Sequence, residues 1–234
     1  MQRELDADTI AQARENPDSV QWGTLCRTVV LTEEFMDEHY DKLLWDRISE
    51  FQKLPTRLLI KYKDKIDWPT ASKYIPLDEE VINLMSSELD WGAVCTCQKL
   101  SFDIIRKNVN DVDWETLCEN KALSEEFIRE FADYVRWSAV CEKTKLSVDF
   151  MREFDTKLSF NIISWSQELT EDFIRDYADK LDWMQISRSQ ALSEEFVKEF
   201  ADSIVWRYLS WNKKVKLSDE VVVEMTLKGY NYNI

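Results

Sequence analysis

The amino-acid sequence specifies an all-α protein, an α-solenoid of about nine 23-residue helix–helix repeats. Three features lead there. A marker aromatic recurs every 23 residues, at Trp22, Trp45, Trp68, Trp91, Trp114, Trp137, Phe160, Trp183 and Trp206. Nine residues after the marker comes Leu31, Leu54, Leu77, Leu100, Leu123, Leu146, Leu169 or Leu192; only the last copy slips, with Leu217 arriving two residues late. The chain also has just 3 Gly and 4 Pro beside 44% hydrophobic residues, too little punctuation for many tight β-turns. A period held this long marks an array in which each unit hides an apolar face that only its neighbour can cover.

The elements follow in order. Residues 1–21 read as a worn copy serving as a cap. Thr9 aligns with Thr32 and Val20 with Leu43, while Gln12 and Asn16 occupy the aromatic slots. A polar outer helix is what an end repeat needs. Residues 22–228 hold the nine copies, and 229–234, "GYNYNI", close the other end. No linker or low-complexity tract interrupts them, so the sequence reads as a single domain.

Within each copy a helix of roughly two turns starts at the marker. Asp67, Asp90, Asp113 and Asp182 precede it as N-caps, and Pro69 fits a first turn, where no N–H is needed. An aliphatic residue follows three on and a small one four on, as in Trp114, Leu117 and Cys118. A second and longer helix follows the conserved-position Leu. Thr32, Asp78, Ser101, Ser124, Ser147, Thr170, Ser193 and Ser218 cap it, and Pro55 takes that slot in one copy. Acids such as Glu125 and Glu126 then meet the positive end of the helix dipole. Phe127, Ile128, Phe131 and Val135 share one face of this helix; Arg129, Glu130 and Asp133 point away.

For function, the first yield is exclusion. The net charge of −15 resists nucleic acid and anionic membranes and attracts basic partners. No run of about 20 apolar residues could span a membrane. The polar first stretch lacks the apolar core of a signal peptide, which points to an intracellular, not a secreted, protein. Cys26, Cys95, Cys118 and Cys141 share one slot with Ser49, Ser72, Ser164, Ser187 and Ser210. A metal site would not accept Ser, so the slot reads as close helix packing; only Cys97 is out of phase. His39, the single histidine, falls in an aromatic slot with Phe131, Phe154 and Phe200 and reads as core. Three scattered glycines exclude a phosphate-cradling loop. The expectation is a non-enzyme with no catalytic residue, no cofactor and no metal.

Two ladders remain as candidate partner-binding residues. Arg106, Arg129, Arg152, Arg175 and Lys198 occupy one slot and, stacked at the usual helix spacing, make a basic stripe about 40 Å long. The competing reading pairs Arg129 with Asp133, Arg175 with Asp179 and Lys198 with Asp202, each at i,i+4. The acidic ladder comprises Glu125, Glu126, Glu194 and Glu195, joined by Glu33, Glu34, Glu79, Glu80, Glu171 and Asp172 at equivalent helix starts.

The strings "LSEEFIREFADYVRW", "LTEDFIRDYADKLDW" and "LSEEFVKEFADSIVW" resemble a short tandem repeat of uncharacterised proteins from giant and other large DNA viruses and some large phages. Departures include "RLLIKY" at 57–62, the loss of the marker Trp at Phe160 with Trp165 five residues later, and Trp211 five after Trp206. The resemblance implies a viral repeat protein working in the host cytoplasm, virus factory or nucleus, or packaged in the virion. It transfers no catalytic residue. The resulting expectation is a scaffold for protein–protein interaction, the alternative being an acidic decoy that imitates nucleic acid toward a basic DNA-binding protein.

Overall fold

One side-chain oxygen starts most of the second helices. Thr32, Asp78, Ser101, Ser124, Ser147, Thr170 and Ser193 each accept the backbone N–H three residues on, that of Phe35, Val81, Ile104, Phe127, Phe150, Phe173 and Phe196. Ser218 holds the slot without this bond, its hydroxyl donating to Glu194 instead. Before the marker, Asp90, Asp113 and Asp182 likewise hold free N–H groups, whereas the Asp67 carboxylate takes the Thr70 hydroxyl.

The protein is seen in a computed structural model that describes residues 2–121 and 123–230. It falls into two compact units, residues 1–120 and 121–234. Unit 1 contains β1 (Arg3–Glu4), α1 (Ala7–Glu15), α2 (Trp22–Thr28), β2 (Val29–Val30), α3 (Glu33–Glu38), α4 (Trp45–Phe51), α5 (Thr56–Lys61), α6 (Trp68–Tyr74), α7 (Glu79–Leu84), α8 (Trp91–Cys97), α9 (Phe102–Lys107) and α10 (Trp114–Asn120). Unit 2 contains α11 (Glu125–Glu130), α12 (Trp137–Lys143), α13 (Val148–Glu153), α14 (Phe160–Ser166), α15 (Glu171–Asp176), α16 (Trp183–Ser189), α17 (Glu194–Glu199), α18 (Trp206–Leu209) and α19 (Asp219–Leu227). Short 3-10 turns sit at Pro17–Ser19 and Ser86–Glu88. The architecture is an α-solenoid. In each unit the marker-led helices pack most closely on one another, α2 on α4 on α6 on α8 on α10, and α12 on α14 on α16 on α18.

The lengths differ from expectation. Most marker-led helices run seven residues and the capped helices only six, so the capped helix is the shorter one. The six-residue length holds whatever the marker is, since α13 also stops at Glu153 ahead of Phe160, and where the marker is Trp its indole seals the turn. The indole Nε1 of Trp137 donates to the Ala132 carbonyl at 2.9 Å, taking an oxygen that a longer helix would need. Trp22, Trp45, Trp68, Trp91, Trp114, Trp183 and Trp206 make the same bond five residues back. Phe131 and Val135 are therefore buried from a turn, not from a helix face.

The core is built from fixed slots. Phe150, Phe173 and Phe196 are fully buried, as are Ile48, Val94 and Ile186 of the marker-led helices. The marker itself lies at the edge, buried at Trp45, Trp68, Trp91 and Trp206 and half-buried at Trp114, Trp137 and Trp183. Its ring leans on the capped helix and the turn after it: Trp183 stacks on Phe200 at 5.2 Å and Phe200 on Phe196 at 4.6 Å.

The first and last copies are finished differently. Asp6, not Thr9, caps α1, and Thr9 supplies the N–H it holds. β1 runs parallel to β2, pairing Arg3 with Val29 and Glu4 with Val30. At the far end Gly229, at φ +92°, terminates α19: its N–H bonds Thr226 and that of Tyr230 bonds Met225. Tyr230 then stacks on Trp206 at 5.2 Å, taking the ring position that Phe200 has on Trp183, while Val223 faces solvent because the copy slipped by two. The rest of "GYNYNI", residues 231–234, lies outside the described residues.

Candidate interaction surface

Neighbouring copies are joined by buried polar side chains. The residue after the marker-led helix is Gln52, Gln98, Gln167 or Gln190 in four copies. Gln190 Nε2 donates to the carbonyls of Ser164 and Gln167 at 2.9 and 2.8 Å, and its Oε1 accepts the Leu169 N–H at 3.0 Å. Gln52, Gln98 and Gln167 repeat all three bonds, so one amide satisfies three backbone groups of the previous copy. Asn212 keeps the two donor bonds, to Ser187 and Gln190. Sequence reasoning passed over this slot; the recurrence of Gln at multiples of 23 residues was the available signal.

The small slot does the same kind of work. Ser49, Ser72, Ser164 and Ser187 each donate to the carbonyl four residues back and accept the N–H eighteen residues on, from Asp67, Asp90, Asp182 and Val205. Cys26 and Cys141 accept from Leu44 and Ser159 in the equivalent place. Burial pushes both thiols above their ordinary value, with those amides opposing it. Cys95 is buried in the same slot while Cys97 is exposed two residues along. Among the described residues no three His, Cys, Asp or Glu side chains gather as a metal set.

The basic ladder is paired, but not as the i,i+4 reading has it. Arg129 reaches Glu153 at 2.8 Å, Arg152 reaches Asp176 at 2.7 Å, Arg175 reaches Glu199 at 2.9 Å and Lys198 reaches Glu224 at 3.2 Å. Each bond crosses to the next copy. Arg106 lies against Asp103 at 2.6 Å. The helix ends before Asp133 and Asp202, which are taken elsewhere: Asp133 by Lys157 at 2.5 Å, and Asp202 by the Tyr230 hydroxyl. Asp179 is exposed on its turn. The guanidiniums also cover aromatic rings of the next copy, Arg129 over Phe150 at 4.9 Å and Arg175 over Phe196 at 5.1 Å.

Half of the acidic ladder is likewise engaged. Glu125 accepts the Ser147 N–H at 2.6 Å, Glu171 that of Ser193 at 2.6 Å, and Glu194 both the N–H and the hydroxyl of Ser218. The first acid of one helix thus closes the cap of the next. Glu126 and Glu195, one residue on, are exposed.

His39 is buried between Phe35, at 4.5 Å, and Trp22, at 5.2 Å, with Nε2 lacking a hydrogen-bond partner.

What differs among copies is the outward face of the marker-led helices, at their second and sixth positions. In unit 1 these are Gly23 and Arg27, Asp46 and Glu50, Pro69 and Lys73, Gly92 and Thr96, Glu115 and Glu119; α12 of unit 2 has Ser138 and Glu142. The last three copies carry Asn161 and Trp165, Met184 and Arg188, Arg207 and, in the turn after α18, Trp211. Trp165 is 45% exposed, Met184 44% and Trp211 59%. Arg207 sits over the Trp211 ring at 5.4 Å and Tyr208 meets it edge-on at 5.6 Å. This face was seen in the sequence only as two misplaced tryptophans.

The fold defines a helical-repeat protein of the α-solenoid class. No protein-family model, no curated protein and no solved structure matches the chain. No helix of the described residues is long and apolar enough to cross a membrane.

Proposed function

We propose that the chain is a non-enzymatic scaffold that binds protein partners through the outward face of its marker-led helices. The observation that carries this reading is the exposure of Trp165 on α14, Met184 on α16 and Trp211 in the turn just after α18, in three successive copies of one row. Large apolar side chains concentrated on one exposed face mark interaction sites in soluble proteins. The remaining repeated polar positions are largely spent within the array, on capping, on the Gln bonds and on the cross-copy ion pairs, so specificity falls to the positions that vary. The resemblance noted above supports a setting in the infected cell or the virion. The decoy reading has the −15 charge in its favour and the interleaving of Arg and Lys among the acids against it.

The test is cross-linking and capture in infected cells with the natural chain and with a Trp165→Ser/Trp211→Ser variant of unchanged helicity. Partners captured by the first and lost by the second support a scaffold acting through this face. Identical capture by both defeats it.

A further inference from the structure

We infer that the face around Trp165, Met184 and Trp211 takes an acidic protein segment whose Asp and Glu residues alternate with apolar side chains. This rests on the scaffold reading and specifies its partner. The cations make the argument. On the capped helices every member of the basic slot in unit 2 is ion-paired across copies. On the marker-led row the situation reverses. Arg188 and Arg207 are exposed, and among the described residues neither has an ion-pair partner. Lys213, Lys214 and Lys216 follow directly after α18, also exposed and also without one. The acids on or beside this row are engaged: Glu142 of α12 by Lys143 at 2.8 Å, Glu168 by Lys145 at 3.5 Å, and Asp182 in holding the N–H groups of Met184 and Gln185.

A chain of net charge −15 has therefore gathered unpaired positive charge where it exposes its largest apolar side chains. Such a face repels basic partners, the class that the overall charge would attract, and selects acidic ones. Trp and Arg are also the side chains that most often dominate binding energy at interfaces.

The row also argues for a peptide over single-stranded nucleic acid. Trp165 and Trp211 lie two copies apart, roughly 16–20 Å at the usual packing distance, with Arg188 in the register position between them. Nucleic-acid platforms stack successive bases, which lie much closer together on a strand. An extended segment spans such a gap with about six residues, enough to seat an apolar side chain at each Trp and acids at Arg188 between them.

The test uses the full chain and dye-labelled probes read by fluorescence anisotropy. The probes are an Asp/Glu peptide interspersed with Phe and Leu, the same peptide with Lys for every acid, an all-Glu peptide, and oligo(dT). The expected order is the acidic-apolar peptide first, the all-Glu peptide weaker by about tenfold, and the Lys peptide unbound. Trp165→Ser/Trp211→Ser and Arg188→Glu/Arg207→Glu should each weaken the first probe about tenfold, the range for losing interface anchors of this kind, with far-ultraviolet circular dichroism unchanged. Arg188→Lys/Arg207→Lys should retain most of the binding. Equal binding of the Lys peptide, tighter binding of oligo(dT), or indifference to both double variants would overturn the assignment. So would self-association in sedimentation that the double variants abolish, because a second copy would then be the occupant. If the cellular partners still depend on Trp165 and Trp211 while the acidic peptide fails, only the partner chemistry falls; if they do not, the scaffold reading falls with it.

Discussion

The side-chain oxygen of Gln190 accepts the backbone N–H of Leu169 at 3.0 Å, one copy earlier in the chain. With the two carbonyls that its nitrogen serves, this buried amide satisfies three backbone groups of the preceding copy. Gln190→Leu preserves bulk and removes all three bonds. The expected loss is at least about 2 kcal/mol, since stranded buried polar groups cost about 1–3 kcal/mol each. Urea unfolding followed by circular dichroism measures it. Gln190→Asn should lose less, since Asn212 makes two of the three bonds at the next junction.

Cys141 and Ser164 occupy one slot, so Cys141→Ser should be tolerated to within about 1.5 kcal/mol, the size of one hydrogen bond. Burial holds the slot's thiols in their unreactive form. A thiol reagent added to the native protein should modify one cysteine of the five rapidly, Cys97, and mass spectrometry should locate it there. Rapid labelling of Cys141 would mean the row of marker-led helices opens readily.

His39→Phe should stabilise the protein. The substitution places at His39 the ring that Phe131, Phe154 and Phe200 already provide, and removes a buried nitrogen without a partner. The gain expected from restoring a repeat's usual residue is about 0.5–2 kcal/mol, read as a higher midpoint in thermal unfolding. His39→Ala should lower that midpoint.

Arg129 looks like a solvent-facing residue in the sequence, yet it spans two copies, over Phe150 and onto Glu153. Arg129→Ala should cost about 0.5–1 kcal/mol, mainly from the lost ring contact, since exposed ion pairs contribute little. Arg129→Lys should recover the pairing with Glu153 but not the flat stacking. Stability measured at low and high salt separates the two contributions.

Acid should destabilise the fold. Asp78 is held below its ordinary 3.8 by the Thr56 hydroxyl and the Val81 N–H, and Asp113 by the Thr116 N–H and hydroxyl. Glu33 is lowered from 4.5 by Arg57 and then Lys61. A carboxylate whose folded pKa is depressed contributes stability above its unfolded value, and that stability is lost as pH falls through the folded value. The melting temperature should thus be level from neutrality to about pH 5 and fall from about pH 4 downward. Asp78→Asn keeps a capping side chain that does not titrate, and should flatten part of that fall.

The periodic marker was enough to read the architecture, because a residue that recurs every 23 positions has the same neighbours each time. Caps at Ser124 and Thr170 were readable for the same reason: they act within three residues of themselves. Helix length was not. The turn begins at Phe131, and at the equivalent Phe154 although the next marker there is Phe160, so it is set by packing between copies that no single stretch displays. Ion pairing failed in the same way, since Arg129 has a partner 24 residues on that no helical wheel brings near. The surface at Trp165 and Trp211 hid behind the repeat itself. Exceptions to a pattern look like decay until their exposure is known.

The Gln bonds run in one direction, each amide reaching toward the N-terminus. A copy is thus left with bare linker groups until its successor has been made, and is finished by it. Translation delivers copies in that same order, so the ribosome supplies each missing piece next, and within each unit the array can close behind the growing chain like a zipper.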